Sequence, residues 1–192
     1  KRLKLLASSH EDKSIEKEKL SKDIFVNAGF NEVINYAFVD SSFIKMLGFN
    51  NDSIELTNPM SSNQDVMRPS LIPGLINNFE YNFNRGAQKF KIFEVGNVFT
   101  KEESWKSLAG LLYFDKSSSD WSGSFQSSFY DLRKSLDMFF SRLNIEPVYK
   151  KTSANHLHPG ISAEIKMKTK SIGKIGVLHP AIQKKLKLPE IV

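Results

Sequence analysis

The sequence predicts an α+β fold, an antiparallel sheet flanked by helices, and three observations carry that prediction. Ile72, Ile76, Phe79 and Phe83 recur at i, i+4, i+7 and i+11, a one-sided apolar stripe that only a helix aligns. Lys89–Val95 and Asn97–Phe99 then read as one long strand whose natural antiparallel partner is Leu108–Phe114. Ile161, Ala163, Ile165 and Met167 alternate strictly, and Ser171 leads into Ile172–Leu178, a second hairpin. Long antiparallel strands with interspersed helices argue against a doubly wound parallel sheet. A chain of 192 residues that is 40% hydrophobic suits one well-packed domain, and 15 Phe call for a substantial core or a large buried interface.

Taken in order, Leu20, Ile24 and Ala28 share one helical face and Gly29 suits a left-handed cap, so the first helix is predicted over Ser14–Ala28. Glu32–Val39, rich in branched and aromatic residues, reads as a strand buried on at least one face, and Asp40-Ser41-Ser42 bounds it. Phe43–Leu47 is a short helix closed by Gly48, and Ser53–Thr57 alternates as a strand before the turn residues Asn58–Asn63. Pro69 and Pro73 belong in or before the first turn of the Ile72 helix, because a proline deeper inside costs about 3 kcal/mol. Gly96 admits a bulge or a close neighbouring backbone. Lys116–Ser124 is serine-rich and reads as an exposed loop, with a linker there allowed but not required. Leu132, Leu136, Phe139 and Leu143 mark a further helix, Val148 a strand, and Ala181–Leu186 a short helix that tolerates Pro180 at its start.

Composition removes several function classes. No Cys occurs, which excludes disulfides, cysteine metal sites and a cysteine nucleophile, and is compatible with a reducing cytoplasm. The longest apolar runs fall far short of the roughly 20 residues that cross a bilayer, and no charged-then-apolar leader opens the chain, so the expectation is a soluble cytoplasmic protein without a membrane partner. A net charge of +6 would suit a polyanion, but the lysines are scattered among acids. The one dense cluster, Lys184-Lys185-Leu186-Lys187, fits either a solvated helix face or a nucleic-acid contact.

Chemistry-bearing patterns are few. Gly173-x-x-Gly176 lacks the fuller phosphate fingerprint and reads as hairpin glycines. His156, His158 and His179 have metal-ligating chemistry, yet without acidic neighbours they read as loop structure. Asp131 and Asp137 face different sides of one helix and cannot form an acid and base pair unaided, and Asp131 suits the helix start. Ser70 has no nucleophile-elbow surroundings. Arg68 and Arg85 read as ion-pair or helix-end residues. No catalytic, cofactor-binding or metal-binding residue is assigned.

Several short motifs in a fixed order resemble the beta subunit of bacterial phenylalanyl-tRNA synthetase. They are Met67-Arg68-Pro69-Ser70-Leu71-Ile72-Pro73-Gly74-Leu75, Asn82-Phe83-Asn84-Arg85 and Ile92–Phe99; Asn31–Val39; Leu56-Thr57-Asn58-Pro59-Met60-Ser61; Phe129–Lys134; and the His-Pro turns of Leu157–Ala163 and Ile175–Pro180. The similarity covers nearly the whole chain and falls in the part folded like a class II synthetase catalytic domain that does not carry the active site. It implies a class II core over residues 14–192 of a longer chain, with residues 1–13 a linker from a preceding module.

The resemblance also implies a role. The alpha subunit of such an enzyme uses ATP and Mg to activate phenylalanine, while the beta module supports it in an alpha-two beta-two assembly that charges tRNA(Phe). Active class II sites hold an arginine at the end of the strand that here reads Gly96-Asn97-Val98-Phe99, where its planar fork grips the α-phosphate. This register holds Thr100, with Lys101 next, and the Gly-x-Gly-x-x-Arg of the third class II motif is absent. The implied function is a non-catalytic core module of phenylalanine-tRNA ligase. The alternative is a free-standing class II paralogue, a ligand-binding module or small-molecule ligase that would recruit Lys101, Arg85 or Arg68 as a compensating cation.

Overall fold

A computed structural model describes residues 13–49, 53–61, 63–114 and 129–189. The expected serine-rich loop at 116–124 and the 1–12 part of the expected linker lie outside them.

Helix α1 (Lys13–Asn27) ends as its sequence asks. Gly29 adopts φ +84°, and the amides of Gly29 and Phe30 return to the carbonyls of Val26 and Phe25. A two-residue strand β1 (Asn31–Glu32) follows, then β2 (Phe38–Val39). The expected single strand over 32–39 is therefore interrupted. Its β-like composition is misleading, because Ile34 is 89% exposed and Tyr36 78%, while Asn35 between them is tied inward by side-chain hydrogen bonds. Helix α2 (Ser41–Leu47) is capped by the Asp40 carboxylate, which accepts from the amides of Ser42 and Phe43, and is closed by Gly48 at φ +74°. The expected strand at 53–57 reduces to one bridge, Glu55 to Val66 in β3 (Val66–Met67).

Helix α3 (Ile72–Phe83) carries Pro73 in its first turn and buries Leu75, Ile76 and Phe79. Strands β4 (Lys89–Phe99) and β5 (Ser104–Phe114) pair antiparallel over eleven consecutive positions, Lys89 with Phe114 through Phe99 with Ser104. No bulge occurs at Gly96. The neighbour that its missing Cβ admits is the Arg68 guanidinium rather than a backbone, and any Cβ there would overlap it. Helix α4 (Phe129–Arg142), β6 (Val148–Lys151), β7 (Leu157–Met167), β8 (Lys170–Leu178) and α5 (Pro180–Leu186) complete the chain.

The strands form two three-stranded sheets, β1-β4-β5 and β6-β7-β8, and a small β2-β3 pair. Among the described strands only β1 and β4 pair in parallel. Sheet β1-β4-β5 is covered on both faces. Ile92, Leu111 and Tyr113 pack with α3 and α5 in one apolar cluster, and Phe93 and Leu112 join α1, α4 and the inner face of β7 and β8 in another. Burial on both sides explains why Ile92-Phe93-Glu94 reads as a continuous run instead of an alternating one.

Candidate functional site

A buried polar network centres on Glu94, a carboxylate in the middle of an apolar strand with 2% exposure. Such a charge is tolerated only when paired and hydrogen-bonded. Arg68 Nη1 donates to Glu94 Oε1 at 2.6 Å and its Nε to the Asn97 carbonyl at 2.9 Å. Asn35 gives its Nδ2 to Glu94 Oε2 at 2.7 Å and its backbone amide to Oε1 at 3.2 Å. Asn78 Nδ2 then donates to Asn35 Oδ1 at 2.9 Å.

The local sequence builds this network. Gly74 and Gly96 leave room for Asn35 and Arg68, whose side chains a Cβ at either position would overlap. Arg68 is also fixed by its backbone, its amide donating to Ala37 and its carbonyl accepting from Phe99. The network joins the 33–37 segment, the residue that follows β3, α3 and β4, and no buried side-chain nitrogen or oxygen among the described residues lacks a partner.

At the end of β4, Thr100 closes the turn to β5. Its amide donates to the Glu103 carbonyl at 2.9 Å, its Oγ1 to the same carbonyl at 3.1 Å, and Glu103 N returns to Oγ1 at 3.2 Å. Lys101 projects into solvent from that turn.

The other residues singled out from sequence are placed apart. Ser70 Oγ accepts from the Ile72 amide at the start of α3. Arg85 lies over the Tyr81 ring at 3.4 Å and donates to the Tyr81 carbonyl, holding the end of that helix. His158 Nδ1 accepts from Gly160 N, and His179 Nδ1 caps α5 through Ala181 N. His156 stacks on Phe49 with ring centres 4.7 Å apart, and its burial, with Lys174 nearby, lowers its pKa to about 4. Among the described residues no group of three or more His, Asp and Glu could hold a metal. Asp131 sits in the first turn of α4, whereas Asp137 accepts from the Tyr149 hydroxyl at 2.6 Å. Burial first, then that carboxylate, pushes the Tyr149 pKa up. Gly173 and Gly176 lie within β8, Gly176 pressed against Ser162. Lys184, Lys185 and Lys187 are exposed, the first two in the last turn of α5, where positive charge suits the helix dipole.

Sequence reasoning missed Glu94 and Asn35, and the available signal was an acid inside Ile92-Phe93-Glu94-Val95. It also missed a cleft of about 600 Å³ between the outer edges of β5 and β8, bordered by residues 105–110 of one and 171–175 of the other.

Residues 5–192 match the family model described as the phenylalanyl tRNA synthetase beta chain CLM domain. A phenylalanine-tRNA ligase beta subunit of Nitrosospira multiformis is 37% identical over 180 residues, which cover 89% of this chain and 22% of that protein. Those of Legionella pneumophila (38%, 86% of this chain, 22% of the relative) and Fusobacterium nucleatum (31%, 91% and 23%) are similar to it in the same way. The chain thus spans about a fifth of the length of the curated relatives it matches. A pyrrolysyl tRNA synthetase structure from Desulfitobacterium hafniense superposes with a TM-score of 0.69 at 13% identity, covering 93% of this chain and 62% of that one, a likeness that establishes the class II synthetase fold.

Proposed function

The chain belongs to the family of phenylalanyl-tRNA synthetase beta chains, and from that membership we propose that it is a core module that supports the alpha subunit in ATP-dependent charging of tRNA(Phe) without carrying out chemistry itself. The observation that carries this reading is the Glu94 network. It commits the buried Arg68 guanidinium near the end of β4 to an internal carboxylate and two backbone carbonyls, those of Asn97 and Asn35. The residues do not suit a nucleoside triphosphate. Arg68 cannot turn its fork to a phosphate without stranding a buried Glu94, Thr100 has no charge to offer, and Lys101 lacks the planar fork. We accordingly assign no catalytic, cofactor-binding or metal-binding residue to this chain, and we place ATP and Mg with the alpha subunit.

The fold is instead organised to hold a surface still. Asn35 is locked inward while its neighbours Ile34 and Tyr36 stand out at 89% and 78% exposure, two large apolar side chains on a fixed backbone. That is the form of a partner contact, and the alpha subunit in an alpha-two beta-two cytoplasmic assembly is the partner we propose. Light scattering after size exclusion tests it, with the chain alone and mixed with the cognate alpha subunit. A stable mixed complex that is weakened by Ile34→Ser with Tyr36→Ser supports the reading. Saturable ATP- and phenylalanine-dependent pyrophosphate exchange by this chain alone would overturn it in favour of a free-standing ligase.

A further inference from the structure

The charge of the chain is unevenly placed. Residues 1–128 carry fifteen Lys and Arg against sixteen Asp and Glu, whereas residues 129–192 carry twelve against five, so the whole positive excess lies in the last third. The segment 148–178, which forms β6, β7, β8 and their turns, holds six lysines and a single acid, Glu164.

Strand register puts Lys150, Lys166 and Lys174 on one face, whereas Lys151 pairs with Ala163 on the other. Lys150, Glu164 and Lys174 share one cross-strand row, and Val148, Lys166 and Ser171 the next. The opposite face of the same strands carries Tyr149, Ala163, Ile165 and Ile175, which pack into the core with α4. The lysine rows therefore face outward. Glu164 is neutralised locally, its carboxylate 3.0 Å from Lys166 Nζ, and Lys166 first, then Ser171, hold its pKa low. Lys150, Lys174, Lys168 in the β7-β8 turn and Lys170 at the start of β8 remain exposed. The row from β6 to β8 spans about 10 Å at the usual strand spacing.

We propose that the outer face of the β6-β7-β8 sheet contacts the ribose-phosphate backbone of tRNA in the assembled enzyme. This rests on the reading of the module as part of a tRNA ligase. Lysine ammonium groups on flexible stems suit phosphate as point charges, and neither of the two outward rows holds an aromatic residue on which a base could stack. The contact positions RNA without reading its sequence. It is separate from the Lys184–Lys187 cluster, and it arises only when three strands bring scattered lysines together.

The experiment uses the full-length beta chain assembled with its alpha subunit and cognate tRNA. Failure of the wild-type subunits to associate would strike the proposed function itself, before any variant is made. In the assembled enzyme, the quadruple variant Lys150→Glu, Lys168→Glu, Lys170→Glu, Lys174→Glu should weaken tRNA binding at least tenfold near 0.1 M salt. The slope of log affinity against log salt should fall by about 3, since each phosphate contact contributes about 0.7 to 0.9. Pyrophosphate exchange measured without tRNA should be unchanged. The corresponding Lys→Gln quartet should show the same slope change with a smaller loss, and Lys184→Glu with Lys185→Glu should leave the slope alone. An assembled quadruple variant with wild-type tRNA affinity and slope overturns the proposal. So does loss of assembly in both quartets, which would make this face a protein contact.

Discussion

Two hairpins of similar length, β4-β5 and β7-β8, are built on opposite plans. The first runs through eleven uninterrupted pairs and buries Ile92, Phe93 and Glu94 in succession, because helices cover one face and a second apolar cluster covers the other. The second has register shifts after Leu157 and Ile165, and divides its residues into an apolar inner face and a lysine outer face. Position in the layers, not strand length, decides what each can carry. A charge within β4 has to be paired inside the protein, whereas charges on β7 and β8 are available to something outside it.

The sharpest way to break the comparison is to remove a charge from each hairpin. Glu94→Ala leaves the Arg68 guanidinium buried without its carboxylate and should cost about 3 to 5 kcal/mol in chemical denaturation. A loss under about 1 kcal/mol would show the network to be dispensable. Next comes pH, through His156 at the entry to β7. Its pKa of about 4 in the folded chain lies below the ordinary 6.5, so folding favours the neutral ring. That stability is complete above pH 6.5 and is lost as pH falls from 6.5 to about 4, up to about 3 kcal/mol in all. His156→Phe should flatten this part of the stability profile. Gly176→Ala places a Cβ within 3.0 Å of Ser162 Cβ and the Ile161 carbonyl, and should cost roughly 1 to 3 kcal/mol where β8 lies close against β7. A thermal melt within a degree of the parent would show that β7 yields freely. The smallest effect belongs to Glu164→Gln, which removes a surface charge paired with Lys166 and hydrogen-bonded to Ser171 and should leave the midpoint of the same denaturation essentially where it is.

How much of this was legible in the sequence follows the same division. Helices α1 to α5 and both hairpins were readable because their signals are local, such as Gly29 and Gly48 as caps or the alternation from Ile161 to Met167. The 33–37 segment was not, since Ile34 and Tyr36 have strand-like chemistry while their conformation is set by Glu94, 59 positions away from Asn35. Arg68 was readable as an ion-pair residue in kind, but its partner was not. The basic outer face was invisible for a related reason: Lys150 and Lys174 become neighbours in one row only through Glu164 on β7 between them.

That 59-residue separation also sets an order of events. The β4-β5 turn closes across four residues, so bringing Asn35 to Glu94 costs about 2 kcal/mol more in loop-closure entropy by the logarithmic rule. We expect the hairpins to form first and the 33–37 segment to arrive last. Pulse-labelled hydrogen exchange in which the Asn35 amide is protected as early as that of Leu112 would contradict this. The surface bearing Ile34 and Tyr36 then comes into being as the final act of folding, and a partner that recognises it recognises only finished molecules.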